Sequence, residues 1–120
     1  MGHHMLGVPC LLLKTTGRRS GKPRTNSLVY ARDGDDYLVV ASNGGAEKAP
    51  GWLHNLKANP DVRVQLGPHE TPAKARVIEQ ADPDYDRVWQ VVNANNRDRY
   101  SGYQKQTSRP IPVVGITPGP

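Results

Sequence analysis

The chain has 120 residues, room for one domain with one core, and its 16 basic and 11 acidic residues give a formal net charge of +5. Its single cysteine, Cys10, excludes an internal disulfide, and nothing in the sequence indicates a metal site. The longest apolar run near the start is too short for a membrane span and carries no cleavage signal, so we expect a cytoplasmic protein.

The predicted elements are mostly short strands joined by turns. Residues 1–5 resemble the remnant of an expression tag and are left out of the fold, so that residues 6–120 are expected to form one domain. The predicted strands cover residues 8–15, 25–32, 37–42, 61–66, 71–79 and 111–116. Helices are predicted from Pro50 to Asn59 and from Asp82 to about Asn95, with a polar loop over 97–109. This order predicts a mainly β fold, an antiparallel barrel with helices across its openings.

The most informative segment is the turn after the first strand. Residues 14–24 contain five positive charges and no negative one, and without them the chain balances at 11 basic and 11 acidic residues. The same segment has two glycines and three hydroxyl side chains. Backbone N–H groups, hydroxyls and guanidinium groups together bind phosphate or carboxylate. The segment therefore predicts a binding site for a polyanionic small molecule.

Other chemistries are disfavoured by the same sequence. The basic turn is not a Walker A loop, because three residues separate its glycines and Pro23 follows Lys22. No serine lies in a nucleophile elbow, and His54 has no carboxylate neighbour to orient it as a base. Nucleic acid is not expected as a partner, because the charge is concentrated in one turn without interleaved aromatic residues.

Two further regions each allow two interpretations. The segment Ser42–Gly45 is either an ordinary loop or a place where glycine lets the backbone approach a flat ring. Trp52 is either a core residue or a wall against an aromatic cofactor. Tyr100 and Tyr103 are either a lid over a substrate or packing residues of the barrel.

Three linked motifs resemble one known family. Residues 13–26, 39–52 and 55–60, in this order, strongly resemble the deazaflavin-dependent nitroreductases of actinobacteria, and the similarity runs from about Val8 to Val114. The resemblance implies a split β-barrel, like the FMN-binding split barrel, that binds coenzyme F420. This cofactor is a deazaflavin with a phosphodiester and an oligoglutamate tail. Its negative charges would explain the concentrated cations of the basic turn.

The resemblance also implies residue roles. Arg18, Arg19, Ser20 and Arg24 would hold the phosphate and the tail, while the other residues contact the rest of the cofactor. The full set of implied cofactor contacts is Arg18, Arg19, Ser20, Arg24, Thr25, Asn26, Ser27, Leu28, Val29, Val40, Ala41, Ser42, Asn43, Gly51, Trp52, Leu53, His54, Asn55 and Tyr100. The implied substrate side consists of Val29, Tyr100 and Tyr103. A lysine of the family pattern falls at Asn43, and tyrosines fall at Val29 and Arg97.

The resulting hypothesis is a reductase that uses the reduced deazaflavin to transfer a hydride to a quinone, an enone or a nitroaromatic compound. The protein itself would supply hydrogen bonds, with Ser42 and Tyr100 as donors, and no indispensable acid or base. Two alternatives remain: an FMN- or haem-binding barrel, and a non-catalytic carrier or sensor of the deazaflavin. Contact with the inner face of the plasma membrane is expected only through an N-terminal segment that this chain lacks.

Overall fold

The computed structural model describes residues 4–5, 8–95 and 99–119. Its strands are β1 (His4–Met5), β2 (Val8–Thr16), β3 (Pro23–Val29), β4 (Ala31–Asp33), β5 (Asp36–Val40), β6 (Asp61–Leu66), β7 (His69–Ile78) and β8 (Val113–Pro118). Its helices are α1 (Gly51–Ala58), α2 (Tyr85–Asn95) and α3 (Arg99–Gln106), and a short 3-10 turn covers Asn43–Gly45. No helix within these described ranges has the length and apolar character needed to cross a membrane.

The strands form one curled antiparallel sheet. Its order is β1-β2-β6-β7-β8-β5-β4, and β3 pairs with β2 outside that path. Leu13 lies opposite Val64 across β2 and β6, and Val39 lies opposite Val114 across β5 and β8. Among the residues that the structure describes, β3 pairs only with β2 and β4 only with β5, so the sheet is open between β3 and the β4–β5 end, where Val39 and Val40 of β5 extend past β4. The predicted mainly β, split-barrel fold is confirmed.

A first core cluster fills the inside of the curl. Alternation along β2 points Leu11 and Leu13 inward, where both side chains are almost fully buried. Helix α1 covers this cluster with Trp52 and Leu56. The remaining buried members are Val39, Ala41, Leu53, Val62, Val64, Ala73, Val114 and Ile116. The helix is therefore held in place by the barrel core, and its exposed side is free to border a site.

A second core cluster lies under α2 and α3 on the other face of β5. Leu38 and Val40 point into this cluster while Val39 points into the first, which explains why the third predicted strand is nearly all apolar. Val88 of α2 is fully buried here. The Tyr85 hydroxyl donates to the carbonyl oxygen of Ile111 at 2.6 Å, and burial raises the pKa of Tyr85 to about 12.

Two predictions about the elements need correction. The predicted strand over 25–32 is broken at Tyr30, because β3 pairs with β2 while β4 pairs with β5. The predicted loop over 97–109 contains α3, whose Ser101 donates to Asn93 of α2 through N and Oγ. Of residues 1–5, which the predicted domain leaves out, His4–Met5 pairs with β2 and residues 1–3 lie outside the described residues.

Candidate functional site

One groove runs across the interruption between β3 and β5 and consists of two adjoining cavities. The first, of about 330 Å³, is called here the basic cavity and is lined by Gly17, Arg18, Arg19, Ser20, Arg24, Asn26, Gly51, Trp52 and Asn55. The second, of about 600 Å³, is called the loop cavity and is lined by Asn26, Leu28, Val40, Ser42, Asn43, Lys48, Ala49, Pro50, Gly51 and Trp52. Because three lining residues are shared, the two cavities form one continuous surface.

The turn beside the basic cavity is held by its own backbone. The Gly17 N–H donates to the Lys22 carbonyl at 2.8 Å, and the Gly21 N–H donates to the Gly17 carbonyl at 2.9 Å. The Ser20 hydroxyl accepts from the Lys22 N–H at 3.1 Å. A Cβ atom at Gly17 would lie 2.7 Å from Ser20 Oγ, and Gly21 has a φ of +71°. The turn therefore depends on both glycines for its shape.

A buried amide joins this turn to helix α1 and strand β2. Asn55 is 6% exposed, and its Oδ1 accepts from the backbone N of Arg18 at 3.2 Å and from Arg18 Nη1 at 3.0 Å. Its Nδ2 donates to Thr15 Oγ1 at 3.2 Å. The amide therefore uses both of its ends, and it fixes the start of the basic turn against the helix.

The cations of the turn lack carboxylate partners. Among the described residues, no carboxylate lies within 4 Å of the charged groups of Arg18, Arg19 or Arg24. Lys14 differs, because it forms an ion pair with Glu70 and, together with Arg63, lowers the pKa of that carboxyl group. The basic cavity thus presents three guanidinium groups whose charge is not neutralised by the protein, an arrangement suited to an anion.

The loop cavity lies between β3 and the end of β5, and its lining is almost uncharged. Every second residue of β3 faces the groove, so Asn26 and Leu28 lie on one wall, opposite Val40 and Ser42 at the end of β5. Since β3 has no second strand partner among the described residues, its unpaired edge offers backbone donors and acceptors next to this cavity. Of the described residues that line it, Lys48 is the one ionisable residue.

The loop that borders this cavity is held by residues from the junction of α3 and β8. The guanidinium group of Arg109 donates to the carbonyl oxygens of Ala41 at 3.0 Å, Ser42 at 2.9 Å and Ala46 at 3.1 Å. The Glu47 carboxylate accepts from Ser108 N and Ser108 Oγ, both at 3.2 Å. Hydrogen bonds from Thr107 and Ser108 lower the pKa of Glu47. The loop is therefore docked at both of its ends.

Most of the predicted site residues lie in this groove. The predicted residues that line one or both cavities are Arg18, Arg19, Ser20, Arg24, Asn26, Leu28, Val40, Ser42, Asn43, Gly51, Trp52 and Asn55. Trp52 is a core residue, 5% exposed, that also lines both cavities.

The other predicted residues lie elsewhere. Thr25, Ser27 and Val29 alternate with the lining residues of β3, and Ser27 lines a separate cavity beside Cys10. Leu53 and Ala41 do not line the groove either, because both are buried in the core. His54 of α1 is exposed and is also not among the lining residues.

The two tyrosines predicted on the substrate side are packing residues in this structure. Tyr100 is 7% exposed and lies in the second core cluster, with its ring 6.5 Å from that of Trp89 and 6.2 Å from that of Tyr103. Neither tyrosine is among the described residues that line the groove. Arg97, where the family pattern has a tyrosine, lies outside the described residues.

Four lining residues are missing from the predicted set, namely Gly17, Lys48, Ala49 and Pro50, and so is Arg109, which holds the loop. Lys48 lies within the second motif, between Ala46 and Pro50, but no charge pattern distinguishes it there. Arg109 has no local signal at all, because its acceptors are 63 to 68 residues away along the chain.

A family model and a similar known protein carry the same description. The model of the family described as F420H(2)-dependent quinone reductase matches residues 1–118. An F420H(2)-dependent quinone reductase of Mycobacterium tuberculosis (strain H37Rv) is 57% identical over 118 residues, which cover 98% of this chain and 79% of that protein.

Solved structures share the architecture. An F420-H2 dependent reductase is 38% identical, with a TM-score of 0.78, over 96% of this chain and 99% of that chain. The heme storage protein HutZ from Vibrio cholerae is only 16% identical, with a TM-score of 0.69, over 92% of this chain and 82% of that chain. The latter likeness extends to the fold alone.

Proposed function

The chain belongs to the family of F420H(2)-dependent quinone reductases, and we propose that it binds reduced coenzyme F420 in the groove between β3 and β5 and uses it to reduce a quinone. One observation carries the proposal. A cavity with three unneutralised guanidinium groups adjoins a nearly neutral cavity that is bordered by a docked loop and Trp52. A ligand with an anionic tail and a flat ring fits both parts at once.

The residues present fit this cofactor. Arg18, Arg19 and Arg24 would hold the phosphodiester and the carboxylates of the tail, because guanidinium groups bind both anions through paired hydrogen bonds. The larger loop cavity would take the deazaflavin ring, since Gly51 has no side chain and Ala49 has a small one. The unpaired edge of β3 would supply backbone hydrogen bonds to the polar edge of the ring.

When bound, the reduced deazaflavin supplies a hydride from its ring carbon to an electron-poor acceptor. Negative charge then develops on an oxygen of the quinone, which takes up a proton to become the hydroquinone. Among the described residues that line the loop cavity there is no histidine or carboxylate, so the Lys48 ammonium group is the charge that would stabilise this oxygen. Ser42, at the start of the same loop, would donate a hydrogen bond to it. Tyr100 lies in the second core cluster, so we assign it no contact with the acceptor.

The proposal also covers the location of the protein and the extent of its domain. The protein would act in the cytoplasm as a single split-barrel domain over residues 6–120, with a small-molecule acceptor as its partner. Support for this location comes from the one buried cysteine, Cys10, which is typical of a reducing compartment.

Binding is tested by fluorescence titration with coenzyme F420. The double variant Arg18→Ala/Arg19→Ala should lose about 30-fold or more in affinity, because two charge-assisted contacts are removed. The matched control is Arg76→Ala/Arg87→Ala, which removes the same charge from two guanidinium groups that are paired with Asp82, Asp84 and Asp33. Equal affinity of the two double variants would refute the assignment of the tail to the basic cavity.

Turnover is tested with reduced coenzyme F420 and a panel of quinones, enones and nitroaromatic compounds. We expect oxidation of the reduced cofactor with quinones. Tight binding without turnover on any acceptor would identify a carrier or sensor. A yellow or brown protein after purification would instead indicate a barrel that holds flavin mononucleotide or haem.

A further inference from the structure

Arg109 forms the densest set of polar contacts next to the groove, although it does not line it. Four hydrogen bonds from one guanidinium group reach three backbone carbonyls: Nη1 to Ala41, Nη2 to Ser42, and both Nη2 and Nε to Ala46 at 3.1 and 3.3 Å. Only the planar, five-donor fork of arginine reaches three carbonyls in this way, and a lysine ammonium group lacks that geometry. The contact therefore fixes the path of the backbone from Ala41 to Ala46 and places a positive charge beside its carbonyl groups.

The backbone that Arg109 holds adopts conformations that need external support. Asn43 has a φ of +47°, in the left-handed region that non-glycine residues rarely occupy. Gly45 has a φ of +84°, and a Cβ atom there would lie 3.0 Å from the carbonyl oxygen of Tyr103 on α3. Residues in such regions persist when their surroundings hold them. Arg109 and the Glu47–Ser108 contact are the polar part of that support.

The opposite side of the same loop faces the groove. Ser42, Asn43 and Lys48 all line the loop cavity, and Ser42 is itself held by Arg109 through its carbonyl oxygen. A displacement of this backbone would move the Ser42 hydroxyl and the Lys48 ammonium group relative to a bound ring. The basic cavity would stay unchanged, because its turn is held by residues 17–22 and Asn55.

We propose that Arg109 is a positioning residue for hydride transfer: its guanidinium group sets the 41–46 backbone so that the loop cavity matches the cofactor ring and the acceptor. The inference rests on the function proposed above. It predicts that loss of the guanidinium group lowers turnover at saturating cofactor and leaves affinity for the cofactor nearly intact.

The test compares Arg109→Ala, Arg109→Lys and the control Arg87→Ala, whose guanidinium group is paired with Asp33 on the surface. We expect kcat with menadione to fall about 10- to 100-fold in Arg109→Ala, because small misplacements of a reacting pair are costly. The dissociation constant for coenzyme F420 should change by less than about threefold. Arg109→Lys should also lose turnover, since it keeps the charge but not the fork, and Arg87→Ala should match the wild type.

Chemical rescue separates positioning from simple loss of folding. Addition of ethylguanidinium to Arg109→Ala should restore part of kcat, whereas ethylammonium should not. If Arg109→Ala does not fold, the same comparison is made with Arg109→Lys and with Glu47→Gln, which weakens the neighbouring contact and should lower kcat by about two- to fivefold. Wild-type turnover in both of these variants overturns the inference.

Two other results also overturn it: wild-type kcat in Arg109→Ala, and a loss of cofactor affinity in that variant with no change of kcat at saturation. Failure of the proposed function has a different signature, because the wild-type protein itself then leaves reduced coenzyme F420 unoxidised with every acceptor.

Discussion

The two cavities of the groove are built by different kinds of contact. The turn of the basic cavity closes on itself between Gly17 and Lys22 and needs one distant residue, Asn55. The loop of the other cavity is held mainly by Arg109 and Ser108, which are 61 to 68 residues away along the chain. One end of the groove is thus locally encoded and the other is assembled by tertiary contacts. Binding of the cofactor and its turnover should therefore respond to different mutations.

The difference in charge follows the same division. Arg18, Arg19 and Arg24 have no carboxylate partner among the described residues, while cations outside the groove such as Lys74 and Arg76 are paired with carboxylates. Exposed ion pairs contribute little to stability, so the pairing outside the groove mainly removes competing positive charge. A polyanion is consequently directed to one place on the surface.

The largest effect on the basic cavity is expected from Asn55→Ala. This substitution leaves the Thr15 hydroxyl and Arg18 without their buried partner, so the free energy of unfolding should fall by about 1–3 kcal/mol. Affinity for the cofactor should fall as well, because Arg18 loses its fixed position. Urea denaturation and fluorescence titration measure the two effects. Asn59→Ala, in an exposed turn after α1, is the control, and equal losses in both variants would contradict the role of Asn55.

A smaller loss is expected from Gly17→Ala. The added methyl group would meet Ser20 Oγ at 2.7 Å and the Lys22 carbonyl at 3.2 Å, so the turn must open. We expect a loss of about 1 kcal/mol in stability, with weaker cofactor binding and unchanged kcat at saturation. Gly102→Ala on α3 is the matched control, because nothing lies within 4 Å of its added carbon. If Gly17→Ala binds the cofactor as tightly as this control, the turn does not depend on its glycine.

The loop cavity is tested by Lys48→Met. Removal of the one ionisable group found on the described residues of this cavity should lower kcat with quinones about three- to tenfold, because less positive charge faces the acceptor oxygen. Cofactor affinity should change little. The control is Lys57→Met, which removes an ammonium group that is paired with Glu79 on the far side of α1. A change in cofactor affinity without a change in kcat would show instead that Lys48 contributes to cofactor binding.

The smallest effect is expected from the pH dependence of Glu47. Its pKa is lowered in the folded protein, first by a hydrogen bond from Thr107 and then by one from Ser108. Its stabilising contribution is therefore complete above the ordinary glutamate value of 4.5 and is lost as the pH falls through the lower folded value. The difference in Tm between the wild type and Glu47→Gln should shrink as the pH is lowered below about 4.5. A constant difference across that range speaks against the contact.

Local patterns in the sequence predicted much of this protein. The charge of residues 14–24, with Gly17 and Gly21, marked the basic cavity, because every group that shapes that turn except Asn55 lies within ten residues. The strict alternation of β6 and the nearly all apolar sequence of β5 were also readable, since burial of one or both faces of a strand directly dictates its side chains. Three motifs in order were enough to indicate the family.

Tertiary structure decided the rest. The break at Tyr30 exists because the chain changes its strand partner there, and α3 forms although only Tyr100 and Tyr103 give it an apolar side. The same packing takes both tyrosines away from the groove. Arg109 reaches the loop only because β8 lies beside β5 in the sheet. Patterns of neighbouring residues report burial and charge, whereas contacts between segments more than 60 residues apart exist only once the sheet has formed.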